Sequence, residues 1–286
     1  MTPPALTYVY AVTQPTSDLD AALPTLHGIG HALLRLLPSD AAGVPLAFVV
    51  ADVPEADFNE TALKAHFEDL DWLEYVARTH HGVVQAVATC APVLPLRMAT
   101  VYQDDHRARQ ALTAQHRAFG ERLDQLRAHT EYGVKIYLTP STTSPDTERA
   151  TAGTTQPTSP GKAYLRARRA QQHTRESVYQ QAQLAAQAID AIAVHHTTQR
   201  VRHAPQRGAL AATQENVLND AYLVPDEQAE EFQAAIADTA RRFPELRIEV
   251  TGPWAPYSFA TPPPGTPDPA APSSHPGAPT ANREPP

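Results

Sequence analysis

The feature that most limits what this chain can fold into is the run from residue 69 to 105, DLDWLEYVARTHHGVVQAVATCAPVLPLRMATVYQDD. Leu70, Leu73, Ala77, His80, Val84 and Val87 recur at steps of three and four, which predicts one face of an amphipathic helix of about five turns. Asp69 or Asp71 is placed to cap its N-terminus. Its end falls near Cys90, because Pro92 lacks a backbone donor and disfavours helical geometry at Ala91. The next residues, VLPLRMATVY, are apolar and β-branched enough to read as a buried strand. Asp104 and Asp105 then open a second long helix reaching Thr130. Ala108, Leu112, Phe119, Leu123 and Leu126 line one of its faces, with Arg, Gln and His opposite.

Around this run the chain supplies further strands. TYVYAVT and VPLAFVVADV come before it, and EYGVKIYLT follows. Between Gln14 and Gly43 the pattern is mixed, and Gly28 and Gly30 weaken any helix there. From Lys162 a helix of about forty residues is expected. Its second half carries a seam of Val178, Ala182, Ala185, Ile189, Ile192 and His196, while its first half is polar and projects as an arm. QRGALAATQ and NVLNDAYLV read as two strands joined by a turn at Glu215-Asn216. A helix opened by Pro225 and Asp226, and a last strand LRIEVTG, complete a strand-helix-strand-strand-helix-strand order. That order is the split βαβ pattern of a ferredoxin-like sheet. The expected fold class is therefore α+β: an N-terminal α/β domain over 1–130, then a ferredoxin-like C-terminal domain over 131–260 with a long projecting helix. Residues 140–161, rich in Thr, Ser, Pro and Gly, are expected to form a flexible insertion. Residues 261–286, with ten of the 28 prolines, are expected to form a disordered tail.

The chemistry-bearing residues are sparse. No P-loop, nucleophile elbow, CxxC or HExxH occurs. Gly28 and Gly30 begin a nucleotide fingerprint, but Leu33 stands where its third glycine belongs. His27 and His31 have helical metal-ligand spacing without a third ligand nearby. The one cysteine, Cys90, excludes an intrachain disulfide and fits a small buried helix residue in a reducing compartment. His80 fits a satisfied core histidine. An enzyme reading would rest on Arg97 and His80, and a nucleic-acid reading on the basic helix 161–203, which carries seven Lys/Arg against two acids. The net charge of −8, with −6 of it in residues 1–60, weighs against nucleic acid. No catalytic, cofactor or metal residue is assigned. The absence of a membrane-length apolar run or a signal-like N-terminus predicts a soluble cytoplasmic protein. GPWAPYSFA after the last strand reads as a strap anchored by Trp254, Tyr257 and Phe259, or else as a presented peptide. Those three residues, with Arg166, Arg168 and Arg169 on the basic arm, are the candidate partner-binding residues.

Several motifs in order resemble the gas vesicle protein L/F (GvpL/GvpF) family. They are TYVYAV, the Trp72–Tyr102 run with its HH pair and APVLPLRMATVY, EYGVKIYL, AYLRARR, NDAYLVPDE and RIEVTGPWAPYSFA, spanning Thr7 to Ala260. Two departures stand out. Ala255 replaces a second proline after the tryptophan, and Met98-Ala99 replaces an aromatic-glycine pair. The resemblance implies a non-enzymatic accessory protein of gas vesicle assembly, in the cytoplasm and on the vesicle. Its implied partners are the hydrophobic major shell protein and other accessory proteins, for which it would serve as a chaperone-like nucleation factor or minor wall component.

Overall fold

The structure, a computed structural model, describes residues 4–139, 160–205 and 214–260. The expected insertion and tail lie outside these residues, except for Pro160 and Gly161, which open a helix. The described chain runs β1 (Ala5–Thr13), α1 (Ser17–Ala22), β2 (Arg35–Pro38), β3 (Ala47–Pro54), α2 (Glu55–Phe58), α3 (Glu60–His66), α4 (Leu70–Ala88), β4 (Val93–Pro95), β5 (Val101–Tyr102), α5 (Asp105–Ala114) and α6 (His116–Leu126). A second set follows: β6 (His129–Leu138), α7 (Pro160–His196), β7 (Gln199–Arg202), β8 (Glu215–Pro225), α8 (Ala229–Arg242) and β9 (Leu246–Trp254).

Two antiparallel sheets result. The first has the order β2-β3-β1-β4, with β5 also paired to β1, and the second has the order β7-β8-β6-β9. Both follow the same rule: the first strand of each set sits between the third and the fourth, and the second strand is at an edge. The ferredoxin-like connection expected of the C-terminal half is therefore present twice.

β1 is the axis of the first sheet, with seven consecutive buried residues from Thr7 to Thr13. A register shift between Val9 and Ala11 breaks simple alternation. Tyr8, Tyr10 and Ala11 face Val76, Val83, Val84 and Val87 of α4, while Val9 and Val12 face Leu112, Leu123 and Leu126 of α5 and α6. That second cluster also contains Ala221 and Leu223 of β8, so one core joins the two sheets. The opposite face of the second sheet packs Tyr132, Ile136, Tyr222 and Val224 on Val178, Ala182, Ala185 and Ile189 of α7 and on Phe232 and Ile236 of α8.

Several expected elements differ. Asp69 is the cap of α4, accepting from the amides of Asp71 and Trp72. Leu70 and Ala77 are exposed, because the buried face runs through Val76, His80, Val83, Val84 and Val87. The strand expected over VLPLRMATVY is split into β4 and β5 by a turn at residues 97–100, in which Ala99 has φ 62°. The long helix to Thr130 breaks at Gln115 into α5 and α6. Glu215 and Asn216 lie inside β8, paired with Leu138 and Tyr137, so they form no turn. The preceding strand is Gln199–Arg202, and most of QRGALAATQ lies outside the described residues. The Gln14–Gly43 segment, mixed in pattern, forms the short helix α1, two 3-10 turns and β2. Gly28 is required there because a Cβ would collide with the Tyr10 hydroxyl, which accepts from the Ile29 amide at 2.9 Å.

His80 is 3% exposed and fully engaged. Its Nδ1 accepts from the Tyr8 hydroxyl at 2.9 Å and its Nε2–H donates to the Leu96 carbonyl at 3.1 Å; the Tyr8 hydroxyl in turn accepts from the Ala99 amide at 3.0 Å. With Nδ1 accepting and Nε2–H donating, the ring is neutral. Burial, aided by neighbouring His81, pushes the His80 pKa down to about 4, against the opposing pull of the Leu96 carbonyl. The unfolded chain then binds more protons below the ordinary histidine range. Stability is full above about pH 6.5 and falls as pH drops toward 4, by about 3 kcal/mol across that window. Urea melts between pH 7 and pH 4 test this, and His80→Gln should flatten the slope while lowering stability at pH 7. Ala99 occupies a left-handed conformation that glycine adopts without a Cβ penalty. Ala99→Gly should therefore raise stability by about 0.5–1 kcal/mol in the same melts.

Candidate functional site: a strap and the cleft beneath it

After β9 the chain crosses from the second sheet to the first, and four side chains from different elements hold it. Gln85 of α4 reads both edges of the peptide: its Oε1 accepts from the Ala255 amide at 3.1 Å and its Nε2 donates to the Pro253 carbonyl at 3.3 Å. Glu131 of β6 accepts from the Ser258 amide at 2.8 Å and from the Ser258 hydroxyl at 2.6 Å. His203 Nε2 completes the Ser258 hydroxyl from the other side at 3.1 Å. Arg122 of α6 donates through Nε to the Phe259 carbonyl at 2.7 Å and again through Nη2.

Phe259 is 1% exposed and sits in the core shared by the two sheets. Ala255 is 3% exposed against the α4 side of the first sheet, and a proline there would lack the amide that donates to Gln85. Tyr257 lies between, near His80 and His81, with ring centroids 6.3 and 5.7 Å away. Trp254 behaves differently from its neighbours. It is 39% exposed and lies edge-on to His81 at 5.2 Å. The strap expected from the sequence is present, but Phe259 and Ala255 are its buried anchors and Trp254 stands at its rim.

Beneath the strap is a cleft of about 320 Å³. Its apolar wall is Ala88, Pro92, Val93 and Leu126, and Pro253, Trp254 and Pro256 form the lip. Its polar groups are largely spent on one another. Arg127 donates to Gln14 and Asp124, His129 bonds the Arg127 carbonyl, and Thr130 donates to Asp226. Glu131, Ser258 and His203 are the residue types of a hydrolase triad, but in the wrong order. The serine hydroxyl donates directly to the carboxylate, and among the described residues no carboxylate is bonded to the histidine. Burial raises the Glu131 pKa, opposed by the Ser258 bonds and by nearby His203; burial and Glu131 together raise that of Tyr257.

Arg97 is exposed in the β4–β5 turn, and both His80 nitrogens are occupied, so the two make no joint site. The basic stretch is partly consumed inside the chain. Arg200 pairs with Asp190 at 2.8 Å and with Asp220, which is 1% exposed; Arg202 approaches Asp220 at 3.7 Å. Arg168 and Arg169 are exposed on α7, a different element from the strap, and Arg166 lies in the part of α7 whose side chains are outside the described residues. Cys90 is half-buried just past α4. His27 and His31, 6.5 Å apart by ring centroid, sit in the 3-10 loop where Gly30 and His31 both have positive φ, so they share no helix face. Among the described residues no group of three or more His, Cys, Asp or Glu is arranged to hold a metal, and no helix is long and apolar enough to cross a membrane. Gln85, Arg122, Glu131 and His203 carry the strap, yet no spacing in the sequence connects them to residues 55 to 170 positions away.

Comparison with known proteins gives this architecture a class. Crystal structures of GvpF from Anabaena sp. PCC7120 and from Microcystis aeruginosa match it with TM-scores of 0.58 and 0.59 at 17% and 20% identity, covering 90% of this chain and 96% and 99% of theirs. The fold is thus that of solved gas vesicle proteins. The sequence model described as gas vesicle synthesis protein GvpL/GvpF matches residues 6–261. Gas vesicle protein L of Streptomyces sp. (strain CB03234) is 38% identical over 257 residues, 89% of this chain and 92% of that one. A shorter match, 44% over 43 residues, joins 15% of this chain to 20% of gas vesicle protein F1 of Halobacterium salinarum. The chain belongs to the GvpL/GvpF family.

The strap geometry ranks two truncations. Phe259→Ala should cost about 3–5 kcal/mol, since it opens a cavity between the two sheets. Trp254→Ala should cost about 1 kcal/mol or less, since much of that ring already meets solvent. Denaturant melts of both variants decide the matter, and the reverse ranking would mean that Trp254 is the anchor.

Proposed function

We propose that this protein is a non-enzymatic assembly factor for gas vesicles that binds the hydrophobic major shell protein and other vesicle proteins, in the cytoplasm and at the vesicle. The observation that carries this reading is membership of a family described as gas vesicle synthesis proteins, over residues 6–261. The strap adds a physical reason. Its polar groups serve to hold the backbone, and the large side chain it leaves at the cleft rim is Trp254. A tryptophan beside an apolar cleft is the kind of anchor that protein contacts concentrate energy on. A shell subunit with apolar surface needs such cover until it is incorporated.

Co-purification with tagged shell protein tests the reading. Wild-type protein should be retained, and Trp254→Ala at matched folded concentration should be retained at least about tenfold less, the scale of one interface anchor. Loss of the gene should leave cells that synthesise shell protein but lack intact vesicles by electron microscopy. Normal vesicles in that deletion would overturn a required role.

A further inference from the structure

The solvent side of α7 carries almost no charge. The helix rests on the second sheet and on α8 through Val178, Ala182, Ala185, Ile189 and Ala193, all buried. Gln180, Leu184, Gln187, Ala191 and Val194 recur at steps of four and three. The first four stand two residues beyond a seam residue, about 200° around the helix, so the line lies opposite the seam. All five are exposed, Leu184 by 50% and Val194 by 78%. The solvent face is where a helix normally puts its charges, as α4 does with Glu74 and Arg78 and α6 with Arg117 and Glu121. Between Ser177 and Val194 the one charged residue is Asp190, and it is paired with Arg200 at 2.8 Å. Among the described residues, the elements that α7 chiefly meets are α8, β6, β8 and β9, and these lie on the side of the buried seam.

An uncharged line spaced four-three-four-three has the spacing of a two-helix coiled-coil seam. It offers nothing to a charged partner. In a chain of net charge −8, it is a stretch where two copies can meet without like charges opposed. The sizes of its side chains also match the line to itself. With two copies antiparallel about a two-fold axis at the level of Ile189, Leu184 of one meets Val194 of the other, and Gln187 meets Ala191. Both large apolar side chains are then covered, and each alanine leaves room for the longer glutamine opposite it. Parallel pairing would instead lay the exposed Arg168 and Arg169 of the two copies side by side.

We propose that the outer face of α7, from Gln180 to Val194, binds the same face of a second copy of this chain as an antiparallel two-helix contact. The contact is isologous, so it closes at two copies. It spans about 21 Å of helix. That is small for a stable interface, so association is expected at roughly tens to hundreds of micromolar. It uses neither the strap nor the cleft and does not depend on the shell-protein reading above.

Sedimentation velocity of the full chain, over a concentration series reaching the high micromolar range, is the test. Wild type should approach, and not exceed, the mass of two chains, at low and high salt alike, because no ion pair holds the contact. Leu184→Glu and, separately, Val194→Lys should each weaken association at least about tenfold. Both sites are exposed, so circular dichroism and melting should be unchanged. An equimolar mixture of the two variants should recover the dimer, since the antiparallel register sets the introduced carboxylate against the introduced ammonium. Trp254→Ala should dimerise like wild type. A wild-type protein that stays monomeric throughout, or a mixture that stays monomeric, would overturn the proposal. Loss of retention on tagged shell protein by Leu184→Glu, with wild type monomeric, would assign the face to the shell subunit instead.

Discussion

Phe259 in the core between the two sheets is the contact on which the arrangement of this molecule depends. Val9 and Val12 of one sheet, Leu223 of the other, and Leu123 and Leu126 of α6 all pack in the same cluster as that ring. Burying one phenylalanine contributes only about 1.5–3 kcal/mol. Its position multiplies the effect, because the chain that delivers it is fastened to α4, α6 and β6 at once. The strap thus closes two sheets of the same connection around one layer of helices.

The fastening also explains how the polar groups are distributed. A backbone that leaves a sheet without a ladder has amides and carbonyls to satisfy. Gln85, Glu131 and Arg122 satisfy them, at the cost of placing a carboxylate where burial raises its pKa. Asp220 meets the same problem on the second sheet and is held by Arg200. Buried charges in this protein are spent on position. Among the described residues, a tryptophan at a cleft rim and Leu70 and Ala77 on the outer side of α4 reach solvent.

The order of elements was legible wherever a single segment sufficed. The α4 helix, the Asp69 cap, the seam of α7 and the opening of the last helix after Pro225 each follow from side chains a few residues apart. The split βαβ order of the second half followed from counting elements. The same order in the first half was hidden, because β2 has four residues and lies after 3-10 turns that look like a broken helix. Errors came where a local pattern has two solutions. The expected α4 face ran through Leu70 and Ala77, and the sheet chose Val76 and Val83 in their place while keeping His80, Val84 and Val87. VLPLRMATVY has the composition of one strand, yet the hydrogen bond from Ala99 to Tyr8 turns the chain in its middle.

The sequence by itself determined the helices, the principal strands, a strap after the last strand and the family, since these rest on local spacing and on motifs in fixed order. Tertiary structure alone decided which aromatic of the strap is buried. Trp254, Tyr257 and Phe259 are all large aromatics within six residues of one another, and no periodic pattern in the strap says which of them turns inward. Phe259 is the anchor because α6 and β8 leave a space between the sheets at that point. Trp254 stays at the rim because it still belongs to β9, paired opposite Glu131, before the chain turns inward.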